Sequence, residues 1–165
     1  MITISIATAD DLKIIQDIAY ATWPIAYGET LSKEQLDYML DKFYSEEMLY
    51  NNLINKNHHF LLANEETVCL GFASYEHHYL DKNVTRLHKL YMLTESQGKG
   101  IGKLLIDKIE DFAKEKHSEI ISLNVNKFNK AISFYTKIGF EVVAEEELAI
   151  GNGYIMDDYK MEKKL

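Results

Sequence analysis

The spacing of apolar and polar residues along this chain predicts a mixed α/β fold. In some segments apolar side chains recur every three to four positions, as on one face of a helix. In others they alternate with polar side chains, as in a half-buried strand. The predicted helices cover roughly residues 10–22, 33–44, 45–55, 100–116 and 129–138. The predicted strands cover residues 2–7, 58–64, 67–79, 84–93, 119–126, 139–150 and 153–163.

Capping and breaking residues sharpen several of these boundaries. Ser32 and Gln35 form a capping-box pattern at the start of helix 33–44. The dipeptide Trp23-Pro24 predicts that the first helix ends there, because a residue before proline is driven out of helical geometry. No repeat or proline-rich linker interrupts the pattern, so it predicts one domain over residues 1–165.

The length and the cysteine content narrow the class of protein. A chain of 165 residues is long enough for a domain with a real core. Its opening, Met-Ile-Thr-Ile-Ser-Ile-Ala, alternates like a strand and lacks the basic start and long apolar core of a signal peptide. No apolar run approaches the roughly 20 residues that span a membrane. The single cysteine, Cys69, has no internal partner for a disulfide. We therefore expect a cytoplasmic protein without a membrane partner.

The charges are unevenly distributed along the chain. The net charge of −8 argues against nucleic-acid binding, which needs a basic face. Residues 82–137 hold 11 Lys or Arg and 6 Asp or Glu, whereas the remainder holds 7 and 20. The basic segment suits an anionic cofactor, and the acidic remainder attracts a cationic co-substrate.

A glycine-dense turn, Gln97-Gly98-Lys99-Gly100-Ile101-Gly102, joins strand 84–93 to helix 100–116. The first N–H groups of a helix have no partner within it, and the helix dipole places about half a positive charge there. Glycines allow the backbone to approach a phosphate closely. The turn therefore predicts a site for a phosphate-bearing ligand.

Two common phosphate-binding loops do not fit this turn. A Walker-type loop requires a serine or threonine after its lysine to bind magnesium, and here Lys103 is followed by Leu104. A dinucleotide fingerprint that begins at Gly98 requires a third glycine where Lys103 stands. A third pattern, Q/R-x-x-G-x-G/A, is filled by Gln97, Gly100 and Gly102 in order. A strand-to-helix turn without any ligand is the alternative.

A second segment strengthens the third pattern. Residues 129–140 resemble N-x-x-A-x-x-F-Y-x-x-x-G-F, although Asn129 stands two residues before Ala131, where three is commoner. The two motifs occur in this order with a helix and a strand between them. Together they resemble the GNAT superfamily of acyl-CoA-dependent N-acetyltransferases. The order of predicted elements is similar to that fold along nearly the whole chain.

The resemblance implies a mixed, mostly antiparallel central sheet flanked by helices. In that fold the strand before the glycine turn and the strand after the next helix splay apart, and the pantetheine arm of the co-substrate acetyl-CoA inserts between them. The residues that the resemblance assigns to acetyl-CoA binding are Leu90, Tyr91, Met92, Gln97, Gly98, Lys99, Gly100, Ile101, Gly102, Lys103 and Asn129.

Acetyl transfer to an amine requires one group that takes a proton from the ammonium and another that gives one to the departing thiolate. The resemblance places Tyr135 beside the CoA sulfur as the donor, and the backbone N–H of Met92 at the carbonyl oxygen. His88 stands where family members often carry a glutamate base. A histidine, with a reference pKa near 6.5, suits proton removal at neutral pH.

Two adjacent histidine pairs, His58-His59 and His77-His78, raise the question of a metal. Neighbouring residues of a strand face opposite sides of the sheet, so neither pair converges on one ion, and we expect no metal. His77-His78 and Glu76 are alternatives to His88 as the base.

The resemblance assigns the amine acceptor to Trp23, Tyr27, Glu29 and Tyr159. Aromatic and carboxylate side chains suit a cationic amine. The flanking segments also resemble bacterial polyamine acetyltransferases of the spermidine/spermine type. We therefore expect an N-acetyltransferase that acts on a polyamine or another small cationic amine in a ternary complex, and the resemblance implies a homodimer. A protein N-terminus or lysine as acceptor, and a non-catalytic acyl-CoA-binding regulatory domain, are the alternatives.

Overall fold

The computed structural model describes residues 1–165 and contains seven strands and five helices. The strands are β1 Ile2–Ile6, β2 His59–Glu65, β3 Val68–Glu76, β4 Val84–Met92, β5 Ile120–Asn126, β6 Glu141–Gly151 and β7 Tyr154–Lys164. The helices are α1 Leu12–Tyr27, α2 Lys33–Tyr44, α3 Glu46–Asn55, α4 Ile101–Glu115 and α5 Ala131–Lys137. The strands form one sheet of order β1-β2-β3-β4-β5-β7-β6, in which only β4 and β5 are parallel. The predicted mixed, mostly antiparallel sheet flanked by helices is confirmed.

The first helix is longer than the sequence predicted. It continues through Pro24 to Tyr27, so the expected break at Trp23-Pro24 is wrong. The ring of Pro24 removes one backbone hydrogen bond, but Trp23 and Tyr27 are both buried against the sheet. Because tertiary packing supplies most of the stability of a helix, this burial keeps the last turn helical.

The two faces of the sheet carry separate apolar cores. The first core lies on the α1–α3 side and includes Ile15, Leu40, Phe60 and Phe72. The second core lies on the α4–α5 side and includes Leu61, Leu105, Ile109, Ile121 and Phe140. Adjacent residues of β2 contribute to opposite cores, as the period of a strand requires. None of the helices combines the length and the apolarity needed to cross a membrane.

The centre of the sheet is interrupted in two ways. β4 and β5 pair only from Val84 with Ile120 to Leu87 with Leu123, and beyond that point they separate. The expected splayed strand pair is therefore present. On its other side, the pairing of β4 with β3 shifts by one residue: Ser74 pairs with Lys89, but the next residue, Tyr75, pairs with Leu87. His88 is the extra residue of this bulge.

The bulge changes which side chains face which core. Leu87 and Leu90 both pack in the α4–α5 core although they are three residues apart. The residues between them, His88 and Lys89, turn to the other face, where the Lys89 Nζ lies 5.3 Å from the ring centroid of Tyr44. The fold thus presents two consecutive polar side chains at the point where the sheet opens.

Candidate active site

The glycine turn lies at the open end of the β4–β5 gap and leads directly into α4. Gly98 has φ of 86° and Gly100 has φ of 72°, in the left-handed region that favours glycine. A Cβ on either glycine would have no atom within 4 Å, so it is the backbone geometry rather than crowding that favours glycine. The space over the first turn of α4 is therefore open to a ligand that accepts hydrogen bonds from its free N–H groups.

Gly102 serves a different purpose, because it permits close packing. A Cβ there would lie 2.9 Å from the Met92 Cε and 3.1 Å from the Phe134 Cζ. The start of α4 can thus approach both β4 and α5. The glycine motif consequently combines two requirements, positive φ at the turn and close packing at the helix.

The lysines predicted for the cofactor have carboxylate partners within the protein. The Lys99 Nζ lies 3.1 Å from Glu65 Oε1, and the Lys103 Nζ lies 2.7 Å from Asp107 Oδ2. All four side chains are substantially exposed. Exposed ion pairs are worth little, so either lysine can exchange its carboxylate for a phosphate at small cost.

The backbone of β4 offers hydrogen-bonding groups to the gap. The Leu93 N–H donates to Leu70 O at 2.8 Å, across to β3. Because backbone groups alternate in direction along a strand, the N–H groups of Met92 and Leu90 point the other way, toward β5. No residue of β5 pairs with them there.

Tyr135 is buried on α5, with 7% of its surface exposed. Its ring packs against Phe134 and Phe140, with centroids at 5.4 Å and 5.7 Å. Burial, with a smaller contribution from Tyr27, raises the pKa of the Tyr135 phenol above its usual value. The hydroxyl is therefore protonated at neutral pH and is a proton donor.

A hydrogen-bonded group joins α1, β4 and the loop before α5. The Tyr27 hydroxyl lies 2.9 Å from the Tyr91 hydroxyl. The Asn129 Nδ2 donates a hydrogen bond to the Tyr27 hydroxyl at 3.0 Å. The Asn129 Oδ1 also accepts from the backbone N–H of Ala131, the first residue of α5, at 2.8 Å. Trp23 completes the group, with its ring centroid 4.8 Å from that of Tyr27. Four predicted residues from three segments of the chain are thus brought together.

Two other predicted acceptor residues lie elsewhere. Glu29 is exposed beyond the end of α1. Tyr159 packs against the α4–α5 core, on the opposite face of the sheet from Tyr27, and the Lys127 Nζ lies 5.5 Å from its ring centroid. The structure therefore does not bring Glu29 or Tyr159 to the aromatic group around Trp23.

The neighbour of Tyr159 was missed by the sequence analysis. Asp158 is only 6% exposed, and its Oδ1 has no hydrogen-bond partner. Burial, and then the nearby Asp157 and Glu146, raise the pKa of the Asp158 carboxyl from 3.8 to about 6. Its charge in turn contributes to the raised pKa of the Tyr27 phenol. Strand alternation next to Tyr159 was the one signal that could have found it.

His88 is part of a cluster at the bulge. Its Nε2 lies 2.9 Å from Glu76 Oε1, and its ring stacks on that of His58 with centroids 4.0 Å apart. Burial, with positive charge on neighbouring groups, lowers the pKa of His88 to about 2. The imidazole is therefore neutral, and the contact with the carboxylate favours the tautomer that donates from Nε2. Glu76, the alternative base, is the hydrogen-bond partner of His88.

Lys89 is a second residue that the sequence analysis missed. Burial lowers the pKa of its ammonium from 10.5 to about 8, and no carboxylate lies within ion-pair distance. The sequence shows a lysine within an apolar strand. The face of the sheet to which its side chain points depends on the bulge, which the sequence does not reveal. Lys89 and Asp158 thus place two titratable groups with shifted pKa values on the α1–α3 face of the open sheet.

Comparison with known proteins identifies the family. The family model described as acetyltransferase (GNAT) domain matches residues 27–163, and the chain belongs to this family of N-acetyltransferases. The enzyme class predicted from the two motifs is thereby confirmed.

Several relatives match along the length of the chain. A spermidine N(1)-acetyltransferase of Thermoplasma acidophilum is 29% identical over 153 residues, which cover 90% of this chain and 91% of that protein. A crystal structure of PaiA N-acetyltransferase from Thermoplasma acidophilum in complex with coenzyme A is 28% identical, covers 100% of this chain and 99% of that one, and superposes with a TM-score of 0.83. A GCN5-related N-acetyltransferase from Rhodopseudomonas palustris shares the fold at 21% identity and a TM-score of 0.84, covering 99% of this chain and 95% of that one.

Proposed function

We propose that this protein transfers an acetyl group from acetyl-CoA to a primary amine of a small cationic acceptor, such as a polyamine, by direct attack in a ternary complex. The observation that carries the proposal is the opening of the sheet beyond Leu87, with the glycine turn at one end and Tyr135 and Asp158 beside it. Two similarities support it: one solved relative holds coenzyme A, and one curated relative is a spermidine N(1)-acetyltransferase.

The chain's own residues fit acetyl-CoA as follows. The backbone groups of Leu90 through Met92 other than the Met92 N–H can pair with the pantetheine arm, as an added strand would. The turn Gln97–Lys103 and the start of α4 can hold the pyrophosphate. Asn129, which is hydrogen-bonded to Tyr27 and to the first residue of α5, can orient this end of the site. Acetyl-CoA supplies the activated acetyl thioester, and the Met92 N–H polarises its carbonyl oxygen.

Two proton transfers fall to the residues described above. Neutral His88 can donate from Nε2 to Glu76 and keep Nδ1 as an acceptor for a hydrogen bond from the amine or from a bridging water. Because its pKa is lowered to about 2, His88 does not hold the proton itself but serves as one end of a water relay that carries the proton away. The protonated Tyr135 hydroxyl can give a proton to the departing thiolate. No side chain is required to form a covalent bond to the acetyl group.

Asp158 supports a cationic acceptor. Its unpartnered Oδ1 lies on the face that also carries Trp23 and Tyr27, and a buried carboxylate is strongly stabilised by an ammonium partner. Aromatic rings nearby add cation–π attraction. A polyamine offers a second ammonium group, so one can bind Asp158 while another is acetylated.

The test is release of free thiol by the purified protein with acetyl-CoA and spermidine, a lysine-bearing peptide or no acceptor. We expect release with spermidine and background alone in the other two reactions. Thiol release with the peptide only would indicate that the protein acetylates proteins rather than small amines. Binding of acetyl-CoA without release across a wide amine panel would favour the regulatory alternative. The cytoplasmic location and the homodimer stay predictions.

A further inference from the structure

Three side chains, two from adjacent strands and one from the residue before a third strand, converge at the bulge of β4. His58 directly precedes β2, Glu76 ends β3 and His88 lies on β4. The Glu76 Oε1 lies 2.9 Å from the His88 Nε2 and 3.5 Å from the His58 Nε2. One donor atom from each residue lies within 4.8 Å of the other two. Two imidazoles and a carboxylate at this separation form a set of ligands suited to a divalent metal.

The surroundings isolate this cluster from the other histidines. The adjacent His59 points to the other face, where its ring stacks on Tyr75 of the α4–α5 core. The side chains of His58, Glu76 and His88 are 12%, 23% and 21% exposed, so an ion could enter from solvent yet be largely enclosed. His58 and His59 lie on opposite faces of the sheet, whereas His77 and His78 lie beyond the end of β3, so the expected strand geometry of the second pair is wrong. His58 nevertheless meets a histidine of another segment, His88, on one face.

We propose that His58, Glu76 and His88 bind a divalent cation of the zinc type, with a fourth position open to water. Zinc accepts two histidine nitrogens and one carboxylate as a three-ligand set with an open position. The two imidazole rings now lie within 13° of parallel, so their lone pairs run side by side. Binding requires one ring to turn about χ2, a broad torsion in histidine that costs little to rotate.

The proposed ion has a consequence for the reaction, and this consequence rests on the proposed function. When the Nε2 of His88 coordinates the metal, that nitrogen carries no proton and no longer donates a hydrogen bond to Glu76. The Glu76 carboxylate binds the metal as well. Arg86 and Lys89 add positive charge near the cluster. A bound dication raises that charge further and opposes the approach of an ammonium group. The metal is therefore expected to inhibit acetyl transfer.

Binding is tested by titrating the chelator-treated full-length protein with Zn²⁺ in a calorimeter, without acetyl-CoA or amine. We expect one ion per chain in the wild type and an affinity at least about tenfold lower in His58→Ala and in Glu76→Gln. His117→Ala, which removes an exposed histidine after α4, is the matched control and should bind like the wild type. Circular dichroism verifies that each variant is folded.

A second measurement reports the ligands directly. Substitution with Co²⁺ should produce visible absorption bands of a low-coordinate nitrogen and oxygen site, and His58→Ala should lose them. No saturable Zn²⁺ binding in the wild type, or equal binding in wild type and a folded His58→Ala variant, would overturn the proposal.

Inhibition is measured separately, by mass spectrometry of the acetylated amine, because Zn²⁺ would bind the thiol product. We expect Zn²⁺ to inhibit the wild type and to inhibit His58→Ala only at concentrations at least about tenfold higher. Zn²⁺ that binds the cluster without affecting turnover would support the metal site while contradicting the role of His88 in the proposed function. The two failures are thereby distinguished.

Discussion

Tyr135 shows what burial does to a single catalytic candidate. Its phenol is enclosed by Phe134 and Phe140, and the resulting rise in pKa keeps the proton on the oxygen. Tyr135→Phe removes only that oxygen. We expect kcat to fall about 10²- to 10⁴-fold, the range for a lost general acid, because the ring still fills its site.

Calorimetry should show unchanged acetyl-CoA binding by Tyr135→Phe. Tyr50→Phe, at a tyrosine of α3 that is 52% exposed, should retain wild-type turnover. Full activity in Tyr135→Phe would assign proton donation to another group or to water.

Asp158 leads to a prediction about pH. Its carboxyl has a pKa of about 6, so as the pH falls through 6 the group becomes neutral and can no longer attract an ammonium. The KM for spermidine should therefore rise as the pH falls below about 6. Asp158→Asn should raise this KM roughly tenfold or more at pH 7, as expected for a lost charged hydrogen bond, and should abolish its pH dependence.

The raised pKa of Asp158 also predicts how the free energy of unfolding depends on pH. A carboxyl whose pKa is raised on folding holds its proton more tightly in the folded state, so the fold loses stability as the pH rises from about 4 to 6. Asp158→Asn should therefore be more stable than the wild type at pH 7 in urea unfolding, and the difference should shrink toward pH 4. Asp111→Asn, at an exposed acid of α4, is the control and should alter neither the KM nor the unfolding curve.

At the scale of elements, the strand–turn–helix unit around Gly98 and Gly100 joins backbone conformation to ligand binding. An alanine at either position must adopt positive φ, which costs about 1–3 kcal/mol, or must let the turn relax. We expect Gly98→Ala and Gly100→Ala to lower the affinity for acetyl-CoA, as measured by calorimetry, because relaxation moves the N–H groups that we propose bind the pyrophosphate.

Gly153 provides the matched control for these variants. It lies in the β6–β7 turn at φ of 78°, also with no atom within 4 Å of a built Cβ. Gly153→Ala should therefore lose a similar amount of stability but bind acetyl-CoA like the wild type. Equal losses of affinity in all three variants would show that stability alone is responsible.

At the scale of the whole molecule, the division of charge predicts the effect of salt. Residues 82–137 carry a net positive charge and the remainder a large negative one, within a total of −8. We expect the KM values for both acetyl-CoA and spermidine to rise with ionic strength, because salt screens the attraction of each substrate to its own region. Steady-state kinetics from about 0.01 M to 0.15 M salt, over which the Debye length falls from about 30 Å to about 8 Å, provide the measurement. A neutral acetyl acceptor, if one is turned over, is the control whose KM should not move.

Much of the fold could be predicted from the sequence because its signals are local. The helices and strands follow the apolar period, and most observed bounds lie within a few residues of the predicted ones. The glycine turn was found for the same reason: positive φ and a helix start are properties of a few consecutive residues. The exception is the end of α1, where burial of Trp23 and Tyr27 outweighed the local signal of Pro24.

The sequence by itself thus determined the order of elements, the phosphate-type turn and the family motifs around Tyr135, since each depends on neighbours along the chain. The tertiary structure alone decided that Asp158 rather than Tyr159 lies on the face of Tyr27, that the bulge turns both His88 and Lys89 to that face, and that His58 meets Glu76 and His88. The physical reason is that strand register and bulges are set by pairing between distant segments. A shift of one residue moves every side chain to the other face, and no local pattern encodes it.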